Sequence, residues 1–441
     1  MLTLCALAWA APPVVVHRPE GPLAGLVVYL SPGHGRMLHR GASGQILAWA
    51  WQRDTRNGLR EDEWTWSFAA QVLAPTLEAA GATVLMLRER DPSDVGAWVD
   101  DADPGFRVQG SAAYEPASES WGAGARRLDD TAHALWEVPP LPAGRYRVYA
   151  RWVAAPSHAA EARYTVSSRT QTDVWTVDQR VHGGVWWPIG EVTLEDGESA
   201  QIRLDGSGGS LSADAVRVGG GRDAPPMQAA APLFELAPIH RQASLGGPPW
   251  LQWLDAGEQS SDIRFRARWS SWLSGDVDEA VYLSIHTNAG RGHGTELYTG
   301  VESAPPMPRQ PVSEALGEAL YAALAPATTA VAAGWRVAPP RDGDFSEISP
   351  RWQQLPSALV EVGFHDSPGD AARLRDPAFG LAFAEGLRDG IIRWRMQRGG
   401  GAERQEGPPG LDGEVPFPPE PPPGPPGDDA ATGQPRSAIG M

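Results

Sequence analysis

The stretch Leu26–Arg36, LVVYLSPGHGR, decides how the chain is read. Leu26–Leu30 has the composition of a buried strand. It runs out into Ser31, Pro32, Gly33, His34 and Gly35, turn-forming residues that set an imidazole just past the end of a core strand. A lone histidine there more often caps the strand or bonds a carbonyl than performs chemistry. His34 acquires a functional meaning only if distant parts of the chain supply partners for it.

Working outward, Glu63–Ala80 carries Phe68, Val72, Leu73 and Leu77 at helical spacing, Gly81 ends the run, and Thr83–Leu87 reads as the next strand. That strand–helix–strand rhythm predicts an α/β layer fold. Residues 97–221 change texture. Runs such as RYRVYARWV, ARYTVSS, WWPIGEVTL, SAQIRLDG and ADAVRVG recur between Gly and Asp-Gly turns, at the roughly 8–12-residue spacing of an all-β sandwich. Seven tryptophans, Trp98, Trp121, Trp136, Trp152, Trp175, Trp186 and Trp187, fall here. Trp186 and Trp187 suit either the sandwich core or stacking on sugar rings, the core being favoured for at least one of them.

Gly219–Pro232 reads as a linker, and then the α/β texture returns. Asp262–Leu273 and Ser313–Leu324 are predicted helices; Val281–Ile285, Thr295–Thr299 and Ala358–Val362 are predicted strands. A last helix is capped by Asp376, with Pro377 at its first position and Phe379, Phe383, Leu387 and Ile391 on one face. The expectation is one α/β domain in two pieces, 22–95 and 233–397, interrupted by a sandwich inserted at 97–221.

Composition removes several function classes. A net charge of −17 argues against nucleic acid and against adsorption to an anionic bilayer. A single cysteine, Cys5, rules out a disulfide framework and a cysteine-based zinc site. No apolar run approaches the about 18 residues of a transmembrane helix. Met1–Ala10, MLTLCALAWA, followed by APP, resembles a short signal peptide with Ala8 and Ala10 at the cleavage site, although no basic residue precedes the apolar run. Residues 1–20 are therefore assigned to a leader, and a periplasmic or extracellular location is expected. Residues 398–441, dominated by Pro and Gly, read as a disordered tail.

Three places offer partners for His34. Glu61, Asp62 and Glu63 open the first helix, where favourable electrostatics at a helix N-terminus already accounts for at least two of them. The strand Val281–Ile285 runs into His286, Thr287 and Asn288. Glu361 interrupts an aliphatic strand between Val360 and Val362. An ionised carboxylate in a central strand costs several kcal/mol unless it meets a cation or hydrogen bonds. Ligands of open α/β sheets bind outside the carboxyl ends of the strands. If these strands are parallel neighbours, His34, His286 and Glu361 converge. Two imidazoles and a carboxylate suffice for a catalytic zinc with an open fourth position, and a further carboxylate can act as general base. Spacing does not say which glutamate binds metal and which moves protons.

The segments SPGHG, GLRED, LSIHTNA and PSALVEVGFHD resemble, in order, the motifs of the zinc-dependent N-acetylmuramoyl-L-alanine amidases of the amidase type 3 family. The resemblance implies a mixed, mostly parallel sheet flanked by helices, with His34, Glu61 and His286 as Zn²⁺ ligands and Glu361 as catalytic acid/base. Asp62 or Glu63 are the alternatives to Glu61. It implies peptidoglycan as the substrate, cut at the amide between N-acetylmuramic acid and L-alanine. The chain departs from the family in carrying Ser31 where an aspartate is usual, and in its insert. The insert, through WVDDADPGFRVQG, AGRYRVYARW, VDQR and ADAVRVGGG, resembles the golvesin C-terminal-like domain and leaves room for a second glycan partner.

Asn288 is a candidate substrate contact or histidine-orienting group. His39, His293 and His365 are expected at the surface or behind the site, and Glu296 is either a pocket residue or an edge carboxylate. The competing readings are a zinc peptidase or amide hydrolase acting on another polymer, and a glycan-binding cell-envelope protein dominated by its Trp-rich sandwich.

Overall fold

The computed structural model describes residues 14–399, apart from 18, 41–45, 223–230, 242–244, 249–250, 252–257, 276–278, 304–305 and 308–309. The proposed leader up to residue 13, most of the expected Gly219–Pro232 linker and the tail beyond 399 lie outside the described residues. Val14–His17, inside the segment assigned to the leader, is an extended Val-rich run paired in parallel with Thr172–Val177.

One six-stranded sheet positions the site. Its order is Arg341–Gly343, Glu296–Gly300, Ser357–Phe364, Glu279–Asn288, Leu26–Pro32 and Thr83–Met86. Leu26–Pro32 is parallel to both Thr83–Met86 and Glu279–Asn288, and the latter is parallel to Ser357–Phe364. Glu296–Gly300 joins antiparallel to Ser357–Phe364, and Arg341–Gly343 pairs in parallel with Glu296–Gly300. Every residue of Leu26–Pro32 is buried, as expected of a parallel strand covered on both faces.

The two faces of that sheet pack differently. Leu26, Val28 and Leu30 join a cluster with Leu73, Leu77, Leu320, Phe383 and Trp394 from the helices. Val27 and Tyr29 point the other way, as the period of two requires, and join Phe265 and Trp269 of helix Glu258–Ser274. That second cluster continues without a break into Trp136, Trp152, Val148 and Ile202 of residues 97–221.

The first helix begins at Glu61, two residues before the expected start. It runs through a π-helical turn at Ala69–Leu73 to Ala79. Gly81, at φ +97°, ends it in a left-handed conformation where glycine is unstrained. Helix Pro311–Val331 runs past the expected end at Leu324 and continues through Pro326, although proline lacks an amide proton. The last helix, Pro377–Gly399, is capped by Asp376, whose Oδ1 accepts from Ala378 N at 3.0 Å. A hairpin, Arg36–Arg40 with Ile46–Trp51, follows His34 directly and was not foreseen.

Residues 96–219 form a six-stranded sheet (with Val14–His17 at one edge), a four-stranded sheet and a three-stranded sheet. Trp186 and Trp187 are both buried, packed against Trp121 and Trp152 respectively, which removes them as open sugar-stacking platforms. Glu89, just beyond the Thr83–Met86 strand, joins the two regions. Its Oε2 accepts from Arg217 Nη2 at 2.7 Å and from Arg241 Nη2 at 2.8 Å, and its Oε1 accepts from Tyr149 Oη and from the Arg90 and Asp91 amides.

Candidate active site

The carboxyl ends of the two central strands carry the imidazoles. Ile285 is paired with Pro32, so His286 and His34 leave the sheet side by side. Gly33 lies between them. A Cβ on it would sit 2.5 Å from His286 Nδ1, so only glycine lets the second imidazole in. His34 adopts φ +60°, a conformation that costs a non-glycine residue on the order of 1 kcal/mol. It is held there by Arg266 Nη2, which donates to its carbonyl at 2.6 Å, and by Gly33 N, which donates to Ile285 O at 2.8 Å.

Glu61, the first residue of its helix, completes the group. Its Oε1 lies 3.0 Å from His286 Nδ1 and 3.2 Å from His34 Nε2. One ligand atom from each of the three falls within 4.8 Å of the others, and all three residues are buried. The neighbouring acids do other work. Asp62 accepts from the amides of Gly35, Gln52 and Arg53 at 3.0–3.1 Å and so pins the turn and hairpin to the helix. Glu63 is exposed and pairs with Arg60. Of the three carboxylates opening this helix, Glu61 is the one that reaches the imidazoles.

Glu361 lies across from His286 in one strand pair and from Glu296 in the other. It is half-buried, and its enclosed Oε2 has no hydrogen-bond partner among the described residues. The charges divide the two glutamates. Burial alone would raise the Glu61 carboxyl, but His34 and the His286 hydrogen bond hold it well below the usual range. Burial, reinforced by Glu61 and Glu296, pushes Glu361 up to about 8 against the pull of His286 and Arg53. For His286, burial disfavours the cation, but Glu347 and Glu61 win and raise it to about 10. Carboxyls with opposed shifts in one pocket are the pattern of a group that stays ionised beside one that exchanges a proton.

The remaining candidates are placed around this core. Asn288 Nδ2 donates to Glu296 Oε2 at 2.9 Å, and Glu296 also takes Tyr298 Oη at 2.8 Å and Arg341 at 2.7 Å. Asn288 and Glu296 thus brace each other beside the pocket. His365 is buried, with Nδ1 2.9 Å from Thr287 Oγ1, and His293 pairs with Asp370. The side chain of His39 lies outside the described residues.

Sequence reasoning missed Glu347. It is 4% exposed, and its Oε1 lies 3.3 Å from His286 Nε2. Its Oε2 accepts from Ser31 Oγ at 3.1 Å, Tyr282 Oη at 2.8 Å and Ser284 Oγ at 2.5 Å. A signal existed: Tyr282, Ser284 and His286 share one face of a buried strand by their period of two, and three polar groups there require a buried partner.

Two imidazole nitrogens and a carboxylate oxygen this close are a donor set that fits a divalent metal ion with a position left open. A second cluster of ligand-type groups, Asp100, Asp101 and Asp214, lies in the β-rich region.

Comparison with known proteins places both regions. Residues 258–393 match the family model described as N-acetylmuramoyl-L-alanine amidase, a span that holds His286 and Glu361 but neither His34 nor Glu61. Residues 107–220 match the Golvesin C-terminal domain. No curated protein matches the chain. Among solved structures, a Paenibacillus xanthan lyase is 25% identical over 30% of this chain and 13% of its own, at a TM-score of 0.27. The catalytic domain of CwlV, an N-acetylmuramoyl-L-alanine amidase from Bacillus (Paenibacillus) polymyxa var. colistinus, is 27% identical over 30% of this chain and 65% of its own, at a TM-score of 0.24. The amidase Ami1 of Mycobacterium smegmatis is 15% identical over 85% of this chain and 99% of its own, at 0.35. The chain thus spans 13% and 65% of the first two. Part of the chain is similar to the N-acetylmuramoyl-L-alanine amidase family and another part to the Golvesin C-terminal domain.

Proposed function

We propose that the chain is a zinc-dependent amidase that cleaves the bond between N-acetylmuramic acid and L-alanine in peptidoglycan. One observation carries this reading. His34, Glu61 and His286, from three separate parts of the chain, bring their ligand atoms within 4.8 Å of one another beside Glu361, which lies within the strand Ser357–Phe364 inside the amidase match. Residues 22–95 and 233–397 form the catalytic domain, and 97–221 is a sandwich inserted into it. A glycan is the class of ligand that sandwich would take.

His34 Nε2, Glu61 and His286 Nδ1 would hold Zn²⁺, which supplies Lewis acidity to the amide carbonyl and to water. Glu361 takes a proton from the water as its oxygen bonds to the lactyl carbonyl carbon. It returns that proton to the alanine nitrogen as the C–N bond breaks, leaving a lactyl carboxylate and a free peptide amine. Asn288, held on Glu296, lines the approach to substrate. Action on peptidoglycan places the protein in the periplasm or outside the cell, and among the described residues no helix is long and apolar enough to cross a membrane.

Purified muropeptides, with products identified by mass spectrometry, test the reading. Intact sugar and free peptide are expected, with activity abolished by chelation and restored by Zn²⁺. Cleavage within the peptide would favour the zinc peptidase alternative. Sandwich-dependent glycan binding without any hydrolysis would favour the cell-envelope binding protein.

A further inference from the structure

We propose that Glu347 is a positioning residue that fixes the tautomer and the aim of His286; this rests on the reading of His34, Glu61 and His286 as metal ligands. An imidazole that offers Nδ1 to a cation must carry its proton on Nε2. His286 Nδ1 is the nitrogen that faces Glu61 and lies in the cluster. Its Nε2 points the opposite way, 3.3 Å from Glu347 Oε1. A carboxylate there accepts the Nε2 proton, leaves the Nδ1 lone pair free and strengthens it as a donor.

The other half of Glu347 is fixed so that Oε1 is the oxygen left for His286. Hydroxyls of Ser31, Tyr282 and Ser284 all donate to Oε2. Ser31 Oγ in turn accepts from Arg266 Nη1 at 3.1 Å, and Arg266 also holds the carbonyl of His34. One buried network therefore reaches the His286 ring and the backbone of His34. The loop that supplies Glu347 has little room to shift: Ile348 O lies where a Cβ on Gly300 would approach it to 1.6 Å. Ser31, at the position where the resembling family usually has an acid, is part of this arrangement, with the buried carboxylate arriving from a distant loop instead.

The test is made on the full chain with metal alone. Zn²⁺ affinity is measured by competition with a chromophoric chelator, and the Co²⁺-loaded protein is examined by its visible absorption. His34→Ala, Glu347→Gln and Glu347→Leu are compared with the unaltered protein, with circular dichroism as the check on folding. His34→Ala should lose Zn²⁺. Glu347→Gln, which keeps an acceptor but not the charge, should bind about 10-fold more weakly, and Glu347→Leu about 100-fold, with an altered Co²⁺ spectrum. Folded Glu347 variants with unchanged Zn²⁺ affinity and an unchanged Co²⁺ spectrum, beside a His34→Ala that loses metal, overturn the role of Glu347 alone. No Zn²⁺ binding by the unaltered protein, or equal binding by His34→Ala, overturns the metal-site reading beneath it. Should Glu347→Leu fail to fold, Glu347→Gln decides by itself: affinity within about twofold of the unaltered protein ends the proposal.

Discussion

The chain gathers ligand-type side chains in two places, and their surroundings send them in opposite directions. At the strand ends, Glu61 is held low by two imidazoles while Glu361 is driven up to about 8 by burial. In the β-rich region Asp100, Asp101 and Asp214 are as close together, but no imidazole joins them. Both oxygens of Asp214 lie 3.0 Å from Trp121 N, Arg126 pairs with Asp101 at 2.8 Å, and Arg151 approaches Asp214 only to 3.6 Å. Burial raises all three, Asp214 to about 8 and Asp100 to about 6. Closeness alone therefore does not make a reactive centre. A mixed donor set separates the protonation states of its members, whereas in the aspartate cluster burial first, and repulsion between the carboxylates second, favours the protonated form.

The largest expected effect tests that difference directly. Glu361→Gln should lower the rate of muropeptide amide cleavage by about 10²–10⁴-fold while leaving bound Zn²⁺ unchanged by atomic absorption. Asp214→Asn, made in parallel, should leave the rate within about twofold, because its effect is on stability. Comparable losses in the two variants would erase the distinction between the clusters.

The cluster at the strand ends was also the more legible of the two in the sequence, for a physical reason. Core strands that end in His34 and His286, and a strand that contains Glu361, violate the apolar pattern of a buried sheet, and the violation is visible residue by residue. Glu61 was only partly legible. Helix N-termini attract acids for their own electrostatic reasons, and nothing local separates Glu61 from Asp62, which ties down backbone amides, or from the exposed Glu63. Glu347 sits in a loop without periodicity, and its importance comes from contacts with Ser31 and Tyr282 far away in sequence. Nothing in the sequence marks Asp100 and Asp101 as a cluster, because Asp214, which completes it, lies more than a hundred positions later.

Between the clusters, Glu89 offers an intermediate effect. Burial would raise its carboxyl, but Arg217 and Arg241 lower it to about 2. A carboxyl depressed below its unfolded value stabilises the fold above that value, and the contribution is lost as pH falls through the folded one. The window is therefore from about 4.5 down to about 2. Glu89→Gln should cost about 3 kcal/mol near neutral pH, measured by urea unfolding, and the deficit should shrink through that window. Because Arg217 comes from the β-rich region and Glu89 from the α/β part, the same variant should expose the junction to proteolysis. A deficit that is independent of pH would mean that packing, rather than the ion pairs, holds the junction.

Asp214 acts with the opposite sign. Its folded value, about 8, lies above the ordinary aspartate value of 3.8. The native state therefore holds a proton that the unfolded chain releases, and this group's contribution to stability is fully present below about 3.8 and is lost as pH rises toward about 8. One such group contributes a slope of at most about 1.4 kcal/mol per pH unit. Asn at 214 keeps an acceptor for Trp121 N and has no proton to lose. Thermal melts of the full chain between pH 5 and pH 9 should show the unaltered protein losing stability across that range and Asp214→Asn losing less, with the curves converging at the acid end. Parallel curves would mean that Asp214 is ionised in the fold, its charge balanced by Arg151, and that the contrast between the two clusters is one of geometry alone.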